Sequence, residues 1–456
     1  MKKINYFLSL VVLSVFALLV GCKKDNPAPE PAPEPAPEPI VATSITLNRS
    51  SITELVNYTV QLKATTVPEG ASVVWSTEDD GIATVSDEGL VTFVGDGTTT
   101  VTAKSGDLTV TCEMVVLDND VTDLSENGTA NCYIVNHPGT YSFAIKKGNT
   151  EDVVVPAKIR VLWESFGTDV APQVGDIVTG VFFKKGKVYF KTKPMMKDGN
   201  ALISAQESDG TILWSWHIWA CAGYDPSATA QSYSHDAGTM MDRNLGATTS
   251  APGDVKALGL LYQWGRKDPF LGAKSISVNA RSASTLTSWP VVISDATTGT
   301  IAYAIAHPTT FISEHNNDWY YSENSGTDNT RWKSAKTMYD PCPAGWRVPD
   351  GGPSGFWVTA AGGSTAYSIE VDATHKGIYM NTASGYSWYP YGGELGIKDG
   401  VIRGVGTSHR WWSCTGTTST SAYAIYCNSS TAPTNNVLLA NTQARAMGCS
   451  VRCFEE

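Results

Sequence analysis

Between Val41 and Leu117 the chain is written in short alternating runs: SITLN, TVQLKATTVPEGA, SVVWSTEDDGIATVSDEGLVTF, TTTVTAK and LTVTCEMVV. Side chains on a strand point alternately to opposite faces. Each run can therefore bury one face only, and the segment needs a second sheet to bury it against. With turn signals at roughly 8–12-residue spacing, the expected solution is a β-sandwich. Val110, Cys112 and Met114 share one face of the last run, which makes Cys112 a buried free thiol.

The same texture continues over 119–219 in NCYIVNHPGTYSFAIK, VVVPAKIRVLWES, DIVTGVFFKKGKVYFKTK and NALISAQESDGTILWSWHIW, a second β-rich unit. His217 sits in its aromatic last run and reads as a packed residue with a satisfied ring. From Ala220 the texture changes. Twelve of the 14 Trp lie at or after Trp214. Asp254 to Phe270 carries helical apolar spacing at Leu258, Leu261 and Trp264, stopped at Asp268-Pro269. The rest alternates short strands with long polar loops.

A net charge of −11 with 17% charged residues argues against a nucleic-acid binder, which would need a basic patch. The seven His are scattered, no H-E-x-x-H occurs, and no paired C-x-x-C supports zinc. No cofactor is expected.

The N-terminus, MKKINYFLSLVVLSVFALLVGC, has a charged start, an apolar run from Tyr6 to Val20 and a small residue at Gly21, the three parts of a secretory signal. The run is shorter than the roughly 20 residues of a membrane span. Leu19-Val20-Gly21-Cys22 resembles the lipobox of bacterial lipoproteins. That resemblance implies acylation of Cys22 and a stable membrane anchor. Lys23 to Pro39 repeats Pro with Ala or Glu, favouring polyproline II, a semi-rigid stalk of roughly 40 Å at about 3.1 Å per residue. Its Lys-Lys-Asp start is similar to the export tag of Bacteroidetes surface lipoproteins, which implies an outer-membrane protein exposed at the cell surface. The eight remaining cysteines would then lie in an oxidising compartment, where disulfides persist.

Val74-Trp75-Ser76, Ile82 to Ser86, Gly89-Leu90-Val91 and Val101-Thr102-Ala103 give 41–118 a resemblance to the bacterial immunoglobulin-like group 2 domain, which implies a spacer or adhesion module. Met240 to Thr249 (MMDRNLGATT), Leu261 to Phe270 (LYQWGRKDPF), Tyr339 to Pro349 (YDPCPAGWRVP) and the final ARAMGCSVRC resemble the Fibrobacter succinogenes major paralogous domain. What that implies for 220–456 is an α+β, C-type-lectin-like or formylglycine-generating-enzyme-like fold with two helices and twisted hairpins. The expected whole is mainly β and multidomain: signal 1–21, lipidated cysteine and stalk 22–40, Ig-like sandwich 41–118, second β-rich sandwich 119–219, lectin-like domain 220–456.

Pro341 and Pro343 fix the backbone on both sides of Cys342, and no His or Lys stands beside it in sequence to lower its pKa. Cys342 is therefore read as a staple. Cys449, Val451 and Cys453 share one strand face, and the two thiols, roughly 13 Å apart, cannot bond each other. The lectin-like resemblance implies Cys342–Cys453, tying the fold to its terminal strand and closing a loop of about 110 residues. Cys449 could then meet Cys414 or Cys427; the pairing of Cys132 and Cys221 stays open.

Three functions follow as expectations. The first is a lipid-anchored surface protein presenting a lectin-like domain for adhesion or carbohydrate, through exposed aromatics at Trp319-Tyr320, Trp388-Tyr389 in YSWYPY, and Trp411-Trp412. Calcium has no support, because the Glu-Pro-Asn and Trp-Asn-Asp signature of true lectins is absent. The second is a pilus-tip or structural component with a protein partner. The third is a formylglycine-generating-like oxidase, resting on Cys449 and Cys453 as a copper pair, and no catalysis is expected ahead of it.

Overall fold

A computed structural model describes residues 39–323, 328–367, 369, 371–418, 420–430 and 436–456. The signal segment, Cys22 and the stalk to residue 38 lie outside the described residues.

The first unit is a sandwich. One sheet runs Ser51–Leu55, Leu108–Leu117, Gly97–Ser105, Val74–Thr77, and the facing sheet runs Thr59–Gln61, Leu90–Phe93, Ala83–Val85. Ser44–Leu47 and Ala64–Val67 pair separately. The alternation works as expected: Cys112, Met114 and Val116 point into the core with Val91, Phe93 and Val101, while Thr111 and Glu113 face solvent. Cys112 is buried and free. Gly89 (φ +81°) closes the turn before Leu90–Phe93, and a Cβ there would come within 2.7 Å of the Trp75 ring and 2.8 Å of the Leu62 carbonyl. Only glycine fits that position.

The second unit stacks two four-stranded sheets. One is ordered Val121–Asp123, Thr140–Ala144, Lys187–Lys191, Thr179–Lys184; the other is Cys132–Val135, Ile212–Ala220, Gly199–Gln206, Lys158–Ser165. Tyr133, Tyr141, Phe143, Phe190, Trp214 and Trp216 fill the space between them. All eight residues of Gly199–Gln206 are buried, because the second sheet is covered on both faces. Ala201, Ile203 and Ala205 point into the sandwich. Leu202, with Trp163, Trp219 and Cys132, points the other way, into a core shared with Trp264, Trp332, Trp412 and Cys453. The 119–219 and 220–456 regions thus pack through one continuous interior. Glu164, fully buried, closes the 166–178 loop by accepting the amides of Gly175, Ile177 and Val178 at 2.6–2.8 Å.

The C-terminal region is built on a large sheet in which Leu260–Gln263, Gly448–Ser450, Gly392–Leu395, Ser408–Gly416, Ser421–Asn428 and Val437–Ala444 are successive neighbours. Its described helices are short: Pro226–Thr229, Ile301–Ala306, Phe356–Ala360 and a 3-10 turn at Val255–Ala257. Two sequence expectations fail here. The helix read into Asp254 to Phe270 is that single 3-10 turn, capped by Asp254, whose carboxylate accepts from the Lys256 amide. The chain then becomes the strand Leu260–Gln263. Its neighbours cover both faces, with Leu258 and Leu261 entering one core and Leu260, Tyr262 and Trp264 another. A strand buried on both faces loses its period of two, and a spacing of three was left to suggest a helix. The second failure is at the C-terminus. Cys449 lies in Gly448–Ser450, but residues 451–453 leave regular pairing before Phe454–Glu455 joins another sheet. Cys449, Cys414 and Cys427 are free thiols, so the pairing of Cys449 with either of the others does not form. Cys427 packs in a different core from Cys449.

The staple itself is present: Cys342 and Cys453 are bonded across a sequence separation of 111, with Cα atoms 6.0 Å apart. Asp340 organises the Cys342 loop. It accepts from the Cys342 and Val348 amides at 2.9 Å and pairs with Lys336 at 2.7 Å.

Two imidazoles are sealed in these cores. His217 has Nε2 2.8 Å from Asn200 Oδ1, and His409 has Nδ1 2.6 Å from the Gly393 carbonyl. Burial pushes both down to about 3 from an ordinary 6.5. Both stay neutral when folded, whereas the unfolded chain takes up a proton at each near 6.5. Their contribution to stability is therefore complete above about pH 6.5 and is lost as pH falls towards about 3. Urea midpoints measured across that window should decline, less steeply in His217→Asn than in the parent. A flat profile would contradict the burial.

Candidate functional site

The hairpin Gly377–Asn381 and Tyr386–Pro390, flanked by Val371–Asp372, forms a three-stranded sheet. Its two faces differ in kind. Ile378, Met380 and Tyr389 point inward, packing with Trp357 and Trp411. The Tyr389 hydroxyl lies 2.9 Å from that of Tyr233. Arg452 stands beneath, its guanidinium 3.8 Å from the centre of the Tyr389 ring, donating to Ser387 Oγ at 2.8 Å and to the Trp388 carbonyl at 2.7 Å. A buried cation holding a hydroxyl and a backbone carbonyl of the same strand makes this a stiff support.

The outer face carries Tyr379 opposite Trp388 and Asn381 opposite Tyr386. Tyr386 is 67% exposed and Tyr379 37% exposed. The ring centres of Tyr386 and Tyr379 are 6.4 Å apart, Tyr379 and Trp388 4.9 Å, and Trp388 and His375 6.4 Å. Four aromatic rings therefore touch in series on this side of the hairpin, their planes inclined 55–88° to one another, with Tyr386 and Tyr379 exposed and Trp388 buried between its neighbours. The indole N–H of Trp388 is buried and has no acceptor. At the end of the row Asp372 accepts from the amide of His375 at 2.9 Å and from its Nδ1 at 2.6 Å. Burial would raise the Asp372 carboxyl, but these donors outweigh it and hold it below the ordinary carboxylate range. Partial burial, and then the neighbouring Asp372 charge, raise the Tyr379 hydroxyl.

The aromatics singled out from the sequence are mostly elsewhere. Trp319, Tyr389, Trp411 and Trp412 are at most 1% exposed. The Trp319, Trp411 and Trp412 indoles donate to the Trp264 carbonyl, Asn244 Oδ1 and the Tyr262 carbonyl. Tyr320 is half-buried beside the Arg331 guanidinium. Trp411 and Trp412 are core because the strand Ser408–Gly416 sits in the middle of its sheet, sending one to each interior; Tyr389 shares the first of these cores and Trp319 packs in a separate one with Ala304 and Ile312. Trp388 alone of the six lies in the outer row, largely covered by its neighbours. Tyr379, Asp372 and His375 were missed. The alternation Ile378-Tyr379-Met380-Asn381 was the available signal, since it puts a tyrosine on the polar face.

Among the described residues no group of three or more His, Cys, Asp or Glu is placed to hold a metal ion. Away from the hairpin, a concavity of about 590 Å³ lined by Phe166, Val170, Met196, Lys197 and Lys256 is open, and Lys197 is already paired with Asp176 at 3.0 Å.

Residues 41–114 match the family model of the bacterial Ig-like domain (group 2). No curated protein matches the chain. Among solved structures, domains 5–6 of the S-layer protein SbsC align over 40% of this chain and 99% of that one, at 16% identity and a TM-score of 0.16. An intimin mutant of EHEC O157:H7 aligns over 27% and 52%, at 17% identity and a TM-score of 0.14. A bacterial Ig-like domain-containing GH10 xylanase from termite gut aligns over 19% and 25%, at 14% identity and a TM-score of 0.13.

Proposed function

We propose that this is a lipid-anchored protein of the bacterial outer membrane, exposed at the cell surface, whose C-terminal region binds carbohydrate. The observation that carries the reading is the pair of exposed tyrosines, Tyr379 and Tyr386, on a hairpin stiffened from below by Arg452. Aromatic faces with polar neighbours are the surfaces on which sugar rings stack, and rigid tyrosines contribute contact area at little entropic cost. The lipobox at Cys22, the proline-rich stalk and the Ig-like unit support the same reading, as parts that would hold such a face away from a membrane. The disulfide consumes Cys453, which removes the thiol pair on which the oxidase alternative rested.

The test is a glycan array probed with the full chain in detergent micelles, with and without calcium. The 219–456 fragment is unsuitable, because its interior is shared with Cys132, Trp163 and Leu202. Selective binding is the expected result. Silence across the array would sink the reading and leave a protein partner, as at a pilus tip, in its place.

A further inference from the structure

We propose that the lysine-rich hairpin of strands Thr179–Lys184 and Lys187–Lys191 is an ionic latch, which holds the Ig-like unit at a fixed angle to the rest of the chain and lets it swing as ionic strength rises. Charge, contact and leverage each support it.

The charges of the two sides are opposite. Residues 41–118 hold three Lys or Arg against eleven Asp or Glu, so −8 of the chain's −11 sits on the Ig-like unit. Residues 179–193 hold five lysines and no carboxylate. Lys187 and Lys193 are paired inside their own unit, with Asp123 and Asp176. Lys184 and Lys191 reach across instead. Lys184 Nζ lies 2.7 Å from Glu54 Oε1 and 3.2 Å from the centre of the Tyr58 ring. Lys191 Nζ lies 2.6 Å from Asp96 Oδ2 and holds that carboxyl below its ordinary range.

An apolar contact lies between the two ion pairs. The ladder joining the hairpin strands slips between Thr179 and Phe182. At this bulge Gly180 (φ +59°) sits against the Ig-like unit, where a Cβ would come within 2.8 Å of Leu117 and 3.1 Å of Val115. Lys191 stands opposite Thr179 on one side of it, and Lys184 follows on the other.

The leverage comes from the sheet order. Three residues, 118–120, join Leu108–Leu117 to Val121–Asp123. Val121–Asp123 is one edge of its four-stranded sheet and Thr179–Lys184 is the opposite edge, about 14 Å away at roughly 4.8 Å per strand. The Ig-like unit is thus tethered at one edge and latched at the other. Exposed ion pairs are weak alone, but so short a tether keeps the partners at an effective concentration on the order of millimolar. Two weak pairs and one apolar contact can then hold the closed arrangement. Because the 119–219 and 220–456 regions share one interior, the latch decides whether residues 41–456 move as one body.

The test is a distance distribution from paired nitroxides on the full chain in detergent micelles. The labels are attached through a keto amino acid at Thr109 and Ser208, both exposed, which leaves every native cysteine untouched. Salt is raised from about 20 mM to about 0.5 M NaCl, shortening the screening length from roughly 20 Å to roughly 4 Å. The parent should show a narrow peak that is lost at the higher salt. The double reversal Lys184→Glu, Lys191→Glu should be broad throughout. Adding Glu54→Lys and Asp96→Lys to it should restore the narrow peak at low salt, and thermal melts check that each variant is folded. A narrow peak in the double reversal would overturn the latch, leaving the Gly180 contact to fix the angle. A parent equally broad at both salts would overturn it too, as would a folded exchange variant that stays broad.

Discussion

Asp318→Asn is expected to destabilise the C-terminal region by about 3–5 kcal/mol, the usual consequence of removing one partner from a buried ion pair. Asp318 is 2% exposed and serves two guanidinium groups. Arg331, fully buried, donates to it with Nη1 at 3.1 Å and also through Nη2. Arg445 Nη1 lies 3.5 Å away. Both cations are packed against aromatic rings, Arg331 at 4.8 Å from the Trp319 centre and Arg445 at 4.3 Å from that of Trp264. Burial lowers Arg445 to about 10, partly offset by Asp318. With asparagine in place, two buried cations lose their counter-charge at once, which puts the effect at the upper end of the range. Urea unfolding of the variant should show a lower midpoint at unchanged slope. A shift worth less than about 1 kcal/mol, the value of a solvated pair, would mean that water reaches this cluster.

The second large effect is expected from opening the Cys342–Cys453 bond. Closing a loop of about 110 residues is worth roughly 4–5 kcal/mol in the chain-entropy account. At about 2–4 °C per kcal/mol for a region of this size, reduction should lower the melting temperature by on the order of 10 °C. Both sulfurs lie in the shared core beside Trp332, Trp346 and Val451. The double substitution Cys342→Ala, Cys453→Ala therefore adds a packing loss to the entropic one and should melt lower than the reduced parent. Equal melting of reduced and oxidised protein would show that the bond closes no loop that the unfolded chain can open.

What the sequence made legible depended on how many faces an element buries. In the Ig-like unit each strand has one wet face, so Val110, Cys112 and Met114 declared themselves and the family match at 41–114 agrees. In Leu260–Gln263 and Ser408–Gly416 both faces are dry, and alternation vanishes. The first was misread as helix and the second as an exposed aromatic patch. The staple was legible because two prolines flank Cys342 and the resemblance supplied its partner. The ring row was half legible. YSWYPY drew attention to one strand, but Tyr379 joins it only through the pairing Tyr379 with Trp388, and long-range register is not written in local spacing. Asp372 and His375 gave no signal of their own, being an ordinary turn until the hairpin brings Trp388 beneath the imidazole.

In both N-terminal units the strand near the entry of the chain lies parallel to the strand from which it leaves. Ser51–Leu55 runs alongside Leu108–Leu117 with five residue pairs in register, and Cys132–Val135 runs alongside Ile212–Ala220 with four. Tension entering at Ser51 and leaving at Leu117 pulls these partners along each other's length. The hydrogen bonds between them are then loaded together and must fail together, whereas an antiparallel hairpin pulled at its open end parts one bond at a time. A chain tethered at one end and gripped at the other would meet force in its most resistant direction, twice in series.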